Sequence, residues 1–136
     1  MKTIVLIACC GKKLFGKAKA ENLYQSDLFK KSLAYAKSLQ SDTIYILSAK
    51  YGLVELTDKL EYYNVTLNKY STSEKKKWAE NVISELKKKC DLQNDKFVFL
   101  AGNNYRKYLL KEIRNYEIPM KNLKIGEQLH WLAKNL

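Results

Sequence analysis

The stretch "YILSAKYGLVEL", residues 45–56, decides how this chain is to be read. It opens as a buried strand, residues 43–47, rich in β-branched and apolar side chains. It then delivers Ser48, Ala49, Lys50, Tyr51 and Gly52 in succession before turning apolar again at Leu53 and Val54. A strand ending in a hydroxyl, a cation, a phenol and a glycine places polar chemistry at its C-terminal tip. Leu53 and Val54 are expected to anchor the following chain back on the core.

Two further segments have the same form. "TIVLIAC", residues 3–9, is a continuous apolar run expected to form a strand buried on both faces, and Cys10, Gly11, Lys12 and Lys13 follow it. "FVFLA", residues 97–101, is a third strand, followed by Gly102, Asn103, Asn104 and Tyr105. Between the strands lie helical patterns. Ser26 or Asp27 caps a helix over 27–39 with an apolar stripe of Leu28, Phe29, Leu33, Ala36 and Leu39. Ser71 with Glu74 matches a capping box for a helix over 73–89, buried along Trp78, Val82 and Leu86. A helix over 102–115 buries Tyr105, Leu109 and Ile113, and a terminal helix over 125–136 buries Ile125, Leu129 and Leu132. Residues 10–26 read as a loop. Residues 48–72 carry no clear period, and a connection of that length is expected to be functional.

Buried strands alternating with helices predict a single compact α/β domain over residues 1–136, with a mainly parallel sheet of three to four strands flanked by helices. Right-handed crossovers bring the strand C-termini to one edge, where open α/β sheets bind their ligands. The three tips then form one candidate site. Gly11, Gly52 and Gly102 permit close backbone approach, Lys12, Lys13 and Lys50 supply positive charge, and the third tip opens a helix whose free N–H groups favour an anion. Asn103 and Ser48 supply hydrogen bonds. The crevice suits a phosphate or a nucleotide. "GKKLFGK" matches neither a Walker A loop nor a dinucleotide fingerprint, which disfavours a standard triphosphate site.

Bulk composition narrows the classes. At 136 residues the chain can bury roughly two-thirds of its unfolded surface without staples. No apolar run approaches the roughly 18 residues that span a bilayer, so no membrane partner is expected. The apolar run after Lys2 reads as a core strand rather than a signal peptide. Three cysteines, two of them adjacent, argue against a disulfide framework and for a cytoplasmic location. One histidine, His130, and no C-x2-C spacing predict no metal, and no cofactor is expected. His130, beside Trp131 in an amphipathic segment, reads as structural. The net charge of +11 favours a polyanionic partner. Against this, only Arg106 and Arg114 among the 25 basic residues are arginines, and a lysine-rich composition alone gives the same charge.

Three residues are catalytic candidates: Ser48, Tyr51 and Cys10. Lysines near Cys10 would favour its thiolate, although buried cysteine is commonly a small hydrophobe. Ten tyrosines, with Tyr24, Tyr51, Tyr62 and Tyr63 in or beside the expected loops, offer rings on which bases stack, or equally a cover for sheet edges.

The segments "IACCGKK", "LYQSDLFKKSLAYAK", "YILSAKYGLVELTDKLEYYNVTL" and "IGEQLHWL" together resemble a family of small, uncharacterised domains from bacteria, archaea and phages. "LSAKYGL" and the chain that follows it to Tyr63 are also similar to a region of the YaaA peroxide-stress family, through Ser48, Tyr51, Gly52, Leu53 and Tyr63. That resemblance implies DNA binding, protection against oxidative damage and a distant relation to nucleobase-handling domains of the uracil-DNA glycosylase type. Carried onto this chain it implies a site of Lys12, Lys13, Tyr24, Ser26, Ser48, Lys50, Tyr51, Gly52, Tyr63 and Thr66. "VELTDKL" stands here where YaaA proteins carry an arginine-proline pair.

The resulting expectation is a nucleic-acid, nucleotide or nucleobase binder with a cationic crevice at the strand tips, or an enzyme acting on a base or its glycosidic bond there. The alternatives are a non-catalytic interaction module with a basic surface and a small-molecule enzyme using Cys10 as nucleophile.

Overall fold

The computed structural model describes residues 1–8 and 11–136. Cys9, expected to end the first strand, and the candidate nucleophile Cys10 lie outside the described residues. Among the described residues seven strands occur: β1 (Thr3–Ala8), β2 (Lys17–Lys19), β3 (Thr43–Ser48), β4 (Gly52–Glu55), β5 (Lys59–Glu61), β6 (Lys96–Leu100) and β7 (Tyr116–Glu117). Five α-helices accompany them: α1 (Ala20–Leu23), α2 (Asp27–Ser38), α3 (Thr72–Lys89), α4 (Asn103–Arg106) and α5 (Ile125–Asn135).

The three apolar runs form the centre of the sheet. Its strand order is β4-β3-β1-β6-β7. β1 runs parallel to β3 and to β6, and β7 runs parallel to β6. The sheet is mostly parallel, as expected, but has five strands rather than three to four. The extra strands are its edges, and neither has the long apolar run of a central strand. β7 is two exposed residues. β4 comes from the opening stretch itself: the chain reverses after Ser48, and β4 pairs antiparallel to β3 with Ser48 opposite Gly52 and Leu47 opposite Leu53.

That reversal follows from local chemistry. Ser48 Oγ accepts a hydrogen bond from Tyr51 N at 3.0 Å, closing a serine turn. Gly52 then adopts φ +74, a left-handed conformation that glycine takes at little cost. Val54, buried in the hairpin, and half-buried Leu53 return the chain to the core, as their apolar character implied. Residues 48–72 are therefore not one irregular loop. They hold β4, β5 and a 3-10 turn, Leu67–Lys69. Residues 10–26, also read as loop, supply β2, which pairs with β5 as a separate antiparallel ribbon, and the short α1.

The helices divide between the sheet's faces. On one, α3 buries Trp78, Ala79, Val82, Ile83 and Leu86 against β1, β3 and β6. Its capping box forms as the sequence implied: Ser71 Oγ accepts from Glu74 N at 3.1 Å, and Glu74 Oε1 accepts from Ser71 N at 2.9 Å. On the other face lie α2, through Phe29 and Ala36, and α5, through Leu132. Two helices depart from expectation. The segment 102–115 buries Tyr105, Leu109 and Ile113 as anticipated but is helical only in α4 and in the 3-10 turn Leu110–Glu112. In α5 only Leu132 is fully buried, and Ile125 is 66% exposed. Similarly, Leu39 ends exposed at the C-terminus of α2, and the helix buries Ser32 beside Phe29 and Ala36. No helix among the described residues is long and apolar enough to cross a membrane.

This topology creates a crevice. The connection between β1 and α2 packs Ala20, Leu23 and Tyr24 on the face of α2, whereas the chain after β6 buries Tyr105 and Leu109 on the opposite face. Adjacent parallel strands whose connections part to opposite faces leave a gap beyond their carboxyl ends, the topological switch point of open α/β sheets.

Candidate functional site

A cavity of about 620 Å³ occupies that switch point. Ala8 ends the β1 wall, and Leu100, Ala101 and Gly102 continue from β6. Its polar lining consists of the carboxamides Asn68, Asn103, Asn104, Asn122 and Gln128, Arg106 and the hydroxyl side chains Ser32 and Tyr105, with no Asp or Glu among the described residues. Apolar surface comes from the strand end and from the chain before α5, including Phe99 and Met120.

The side chains are held by local bonds. Arg106 Nη1 donates to Ala101 O at 2.6 Å, which folds the guanidinium back over the tip of β6. Its buried Nε has no hydrogen-bond partner among the described residues. Burial lowers the guanidinium pKa, and the group stays cationic at any physiological pH. A buried cationic donor left unsatisfied is costly and favours an incoming acceptor. Asn104 Nδ2 donates to Asn68 Oδ1 at 2.6 Å, while Asn104 Oδ1 accepts from Lys75 Nζ at 3.1 Å. That chain ties the third tip to the 3-10 turn after the tyrosine loop and to the first turns of α3. Gln128 Nε2 donates to Leu123 O at 2.9 Å.

A second polar group lies at the tip of β3. Ser48, Tyr24 and Tyr63 are buried, and their hydroxyls form one chain. Ser48 Oγ donates to Tyr63 Oη at 2.9 Å, and the Tyr63 and Tyr24 hydroxyls are 2.7 Å apart. Trp78 Nε1 donates to Ser48 O at 2.9 Å from the opposite face. Over the Tyr63 ring stands the Lys13 ammonium, 4.6 Å from the centroid, and Tyr51 meets the same ring edge-on at 5.5 Å. Tyr51 is 37% exposed, and the Lys50 ammonium lies 5.2 Å from its ring centroid. Farther along, Tyr62 packs on exposed Phe15 at 4.5 Å.

The expected residues thus fall into two groups and a remainder. Lys13, Tyr24, Ser48, Tyr51 and Tyr63 come together in the hydroxyl cluster, with Lys50 at its rim. Gly102 and Asn103 line the switch-point cavity. Ser26, Thr66, Gly11 and Gly52 serve the backbone. Ser26 Oγ accepts from Phe29 N at 3.1 Å as the cap of α2, and Thr66 Oγ1 accepts from Asn68 N at 3.2 Å. Gly11 holds φ +95, with its missing Cβ facing Ser26 at 3.9 Å. Lys12 is exposed, and its carbonyl accepts from Gln25 N. The third tip lacks the long helix expected of it, since α4 spans four residues and has no N-terminal field of consequence. His130 stands exposed on α5, while its neighbour Trp131 packs on Tyr35.

Sequence reading missed Arg106, Asn104, Asn68, Asn122 and Gln128. The signal for Arg106 was present: it is one of two arginines and directly follows the third tip, four residues after Gly102. Asn104 stands on the third tip itself, while Asn68, Asn122 and Gln128 come from distant segments that only the topology assembles. Among the described residues no cluster of His, Cys, Asp and Glu is arranged to hold a metal ion.

A model of a family of unknown function (DUF6884) matches residues 4–134. No curated protein matches the chain.

Proposed function

The chain belongs to DUF6884, and we propose that it binds a nucleotide, free or within a nucleic acid, with the base in the crevice between β1 and β6. The observation that carries this reading is the lining of that crevice. Carboxamides present a donor and an acceptor side by side, the pattern that pairs with base edges. Five of them with one arginine, no carboxylate and an apolar strip suit a planar, hydrogen-bonding ring attached to an anion. The cationic tip beside it, with Lys13 and Lys50 as its ammonium groups, suits the phosphate. In this reading the Ser48–Tyr63–Tyr24 chain is positioning machinery for Lys13 and Tyr51, and neither Ser48 nor Tyr63 touches the ligand.

The reading commits to binding. Glycosidic-bond cleavage needs a general base or a polarised water, and the described lining of the crevice holds no carboxylate to serve. The net charge of +11 supports a nucleic acid over a free mononucleotide as the larger ligand. The similarity of Ser48, Tyr51, Gly52, Leu53 and Tyr63 to the YaaA pattern supports the same choice and extends the proposal to a cytoplasmic role in stress response.

The test is calorimetric titration of nucleoside monophosphates and a short single-stranded oligonucleotide at about 50 mM salt, where phosphate contacts are strong. Binding that falls at least about tenfold in Arg106→Gln supports the reading, an effect of the size expected from losing one charge-assisted hydrogen bond. No detectable binding of any of these ligands overturns it.

A further inference from the structure

A second concave surface lies along one edge of α3, and none of its residues lines the β1–β6 crevice. It is a groove of about 520 Å³ between α3 and the segment around the 3-10 turn Leu110–Glu112. Ala79 and Ile83, one turn apart on α3 and almost wholly buried, close its floor, and the half-buried ring of Tyr108 opposite supplies most of its accessible apolar surface. The rim is cationic. Lys76, Lys87 and Lys111 line the groove; the ammonium groups of Lys76 and Lys111 lie 5.8 and 5.9 Å from the centroid of the Tyr108 ring, and that of Lys107, just outside the groove, lies 5.5 Å from it. Glu80 and Glu112 also line the groove, but no ion pair among the described residues joins them to these lysines. Three ammonium groups gathered around one ring repel one another, and the quadrupole of a single tyrosine offsets this only in part. The arrangement is relieved by an anionic partner.

We propose that this groove docks an acidic amphipathic segment of a partner protein. An apolar side chain of the segment rests on Ala79, Ile83 and Tyr108, and its carboxylates meet Lys76, Lys107 and Lys111. Charge complementarity selects the acidic partner, and the apolar floor selects a peptide over a nucleic acid. A phosphate backbone has no apolar knob for the floor, and the rim has no arginine fork for phosphate. This inference is independent of the nucleotide reading.

The probe is a glutamate-rich helical peptide with leucines along one face, titrated into the isotopically labelled full chain and followed by NMR. Three controls accompany it: the same peptide with serine in place of leucine, a single-stranded oligothymidylate, and the protein variant Lys76→Glu/Lys107→Glu/Lys111→Glu. The leucine peptide is expected to shift the signals of Ala79, Ile83 and Tyr108 and to bind the triple variant at least about tenfold more weakly. Tyr108→Ser, which leaves every charge in place, is expected to weaken the same peptide. The proposal is overturned if the serine peptide binds as well as the leucine peptide, if the oligothymidylate displaces the peptide from these residues, or if charge reversal leaves affinity unchanged.

Discussion

Ser48 shows how a residue that looks reactive in a sequence can be committed to structure. Its hydroxyl is fully buried, donates to Tyr63 and accepts from Tyr51 N, while its carbonyl takes the Trp78 indole N–H. Ser48→Ala leaves Tyr51 N and the Tyr63 hydroxyl without that partner, which is expected to cost about 1–3 kcal/mol. Denaturant unfolding with an unchanged m-value measures it. Gly52 is a different case. A Cβ there would sit at an ordinary 3.9 Å from Val82 Cγ2, but φ is +74. Gly52→Ala is therefore expected to cost about 1 kcal/mol through backbone strain alone. Destabilisation of that size, with a hairpin unchanged by NMR, would confirm that strain rather than crowding is responsible. The polar character of the Ser48–Gly52 tip was legible in the sequence. The inward turn of the Ser48 hydroxyl was not, because its partner Tyr63, 15 residues on, is itself held by Tyr24 from a separate segment of the chain.

At the scale of elements, strength of pattern separates what could be read from what could not. The central strands are continuous apolar runs, and α3 carries both an apolar stripe and a capping box, so all of them were visible. β2, β5 and β7 are two or three residues long and mostly exposed, leaving no period to detect. The short connection before β6 has its own anchor. Asp95 is buried, and its carboxylate accepts from Asp91 N and Lys2 N, each at 2.9 Å. These bonds, that from Asp91 first, hold its pKa below the ordinary carboxylate value. A depressed folded-state pKa stabilises above the unfolded value of about 3.9, and that stability disappears as pH falls through the lower folded value. Asp95→Asn is expected to reduce stability at neutral pH and to flatten its decline in acid. Urea unfolding of both proteins across pH 2 to 7 reads both effects, and parallel curves would contradict the assignment.

Over the whole molecule, the order of strands turns three separate tips into a site. The alternation of strand and helix in the sequence implied a parallel sheet and a crevice at its C-terminal edge. It did not say which pair of strands flanks the crevice. That follows from β1 lying between β3 and β6, with its connection parting from that of β6. The carboxamide lining follows in turn, because Asn68, Asn122 and Gln128 reach the crevice only through the packing of the 3-10 turn and α5. Lysines at the neighbouring tip should make binding of a single strand salt-dependent. Lys13→Gln is expected to lower the slope of log affinity against log salt by about 0.7 without altering base preference. An unchanged slope would remove Lys13 from the phosphate path.

The central claim is that the β1–β6 crevice receives a nucleobase. Its most direct test is an NMR titration of the labelled protein with adenosine monophosphate, resolving the side-chain amide signals of Asn103, Asn104 and Gln128 and the Arg106 Nε–H. The account predicts saturable shifts at these groups, with Arg106 Nε–H moving as it gains an acceptor, and the loss of those shifts in Arg106→Gln. Saturation at the Phe15–Tyr62 pair or along the lysine surface, with these four side chains unmoved, would contradict it.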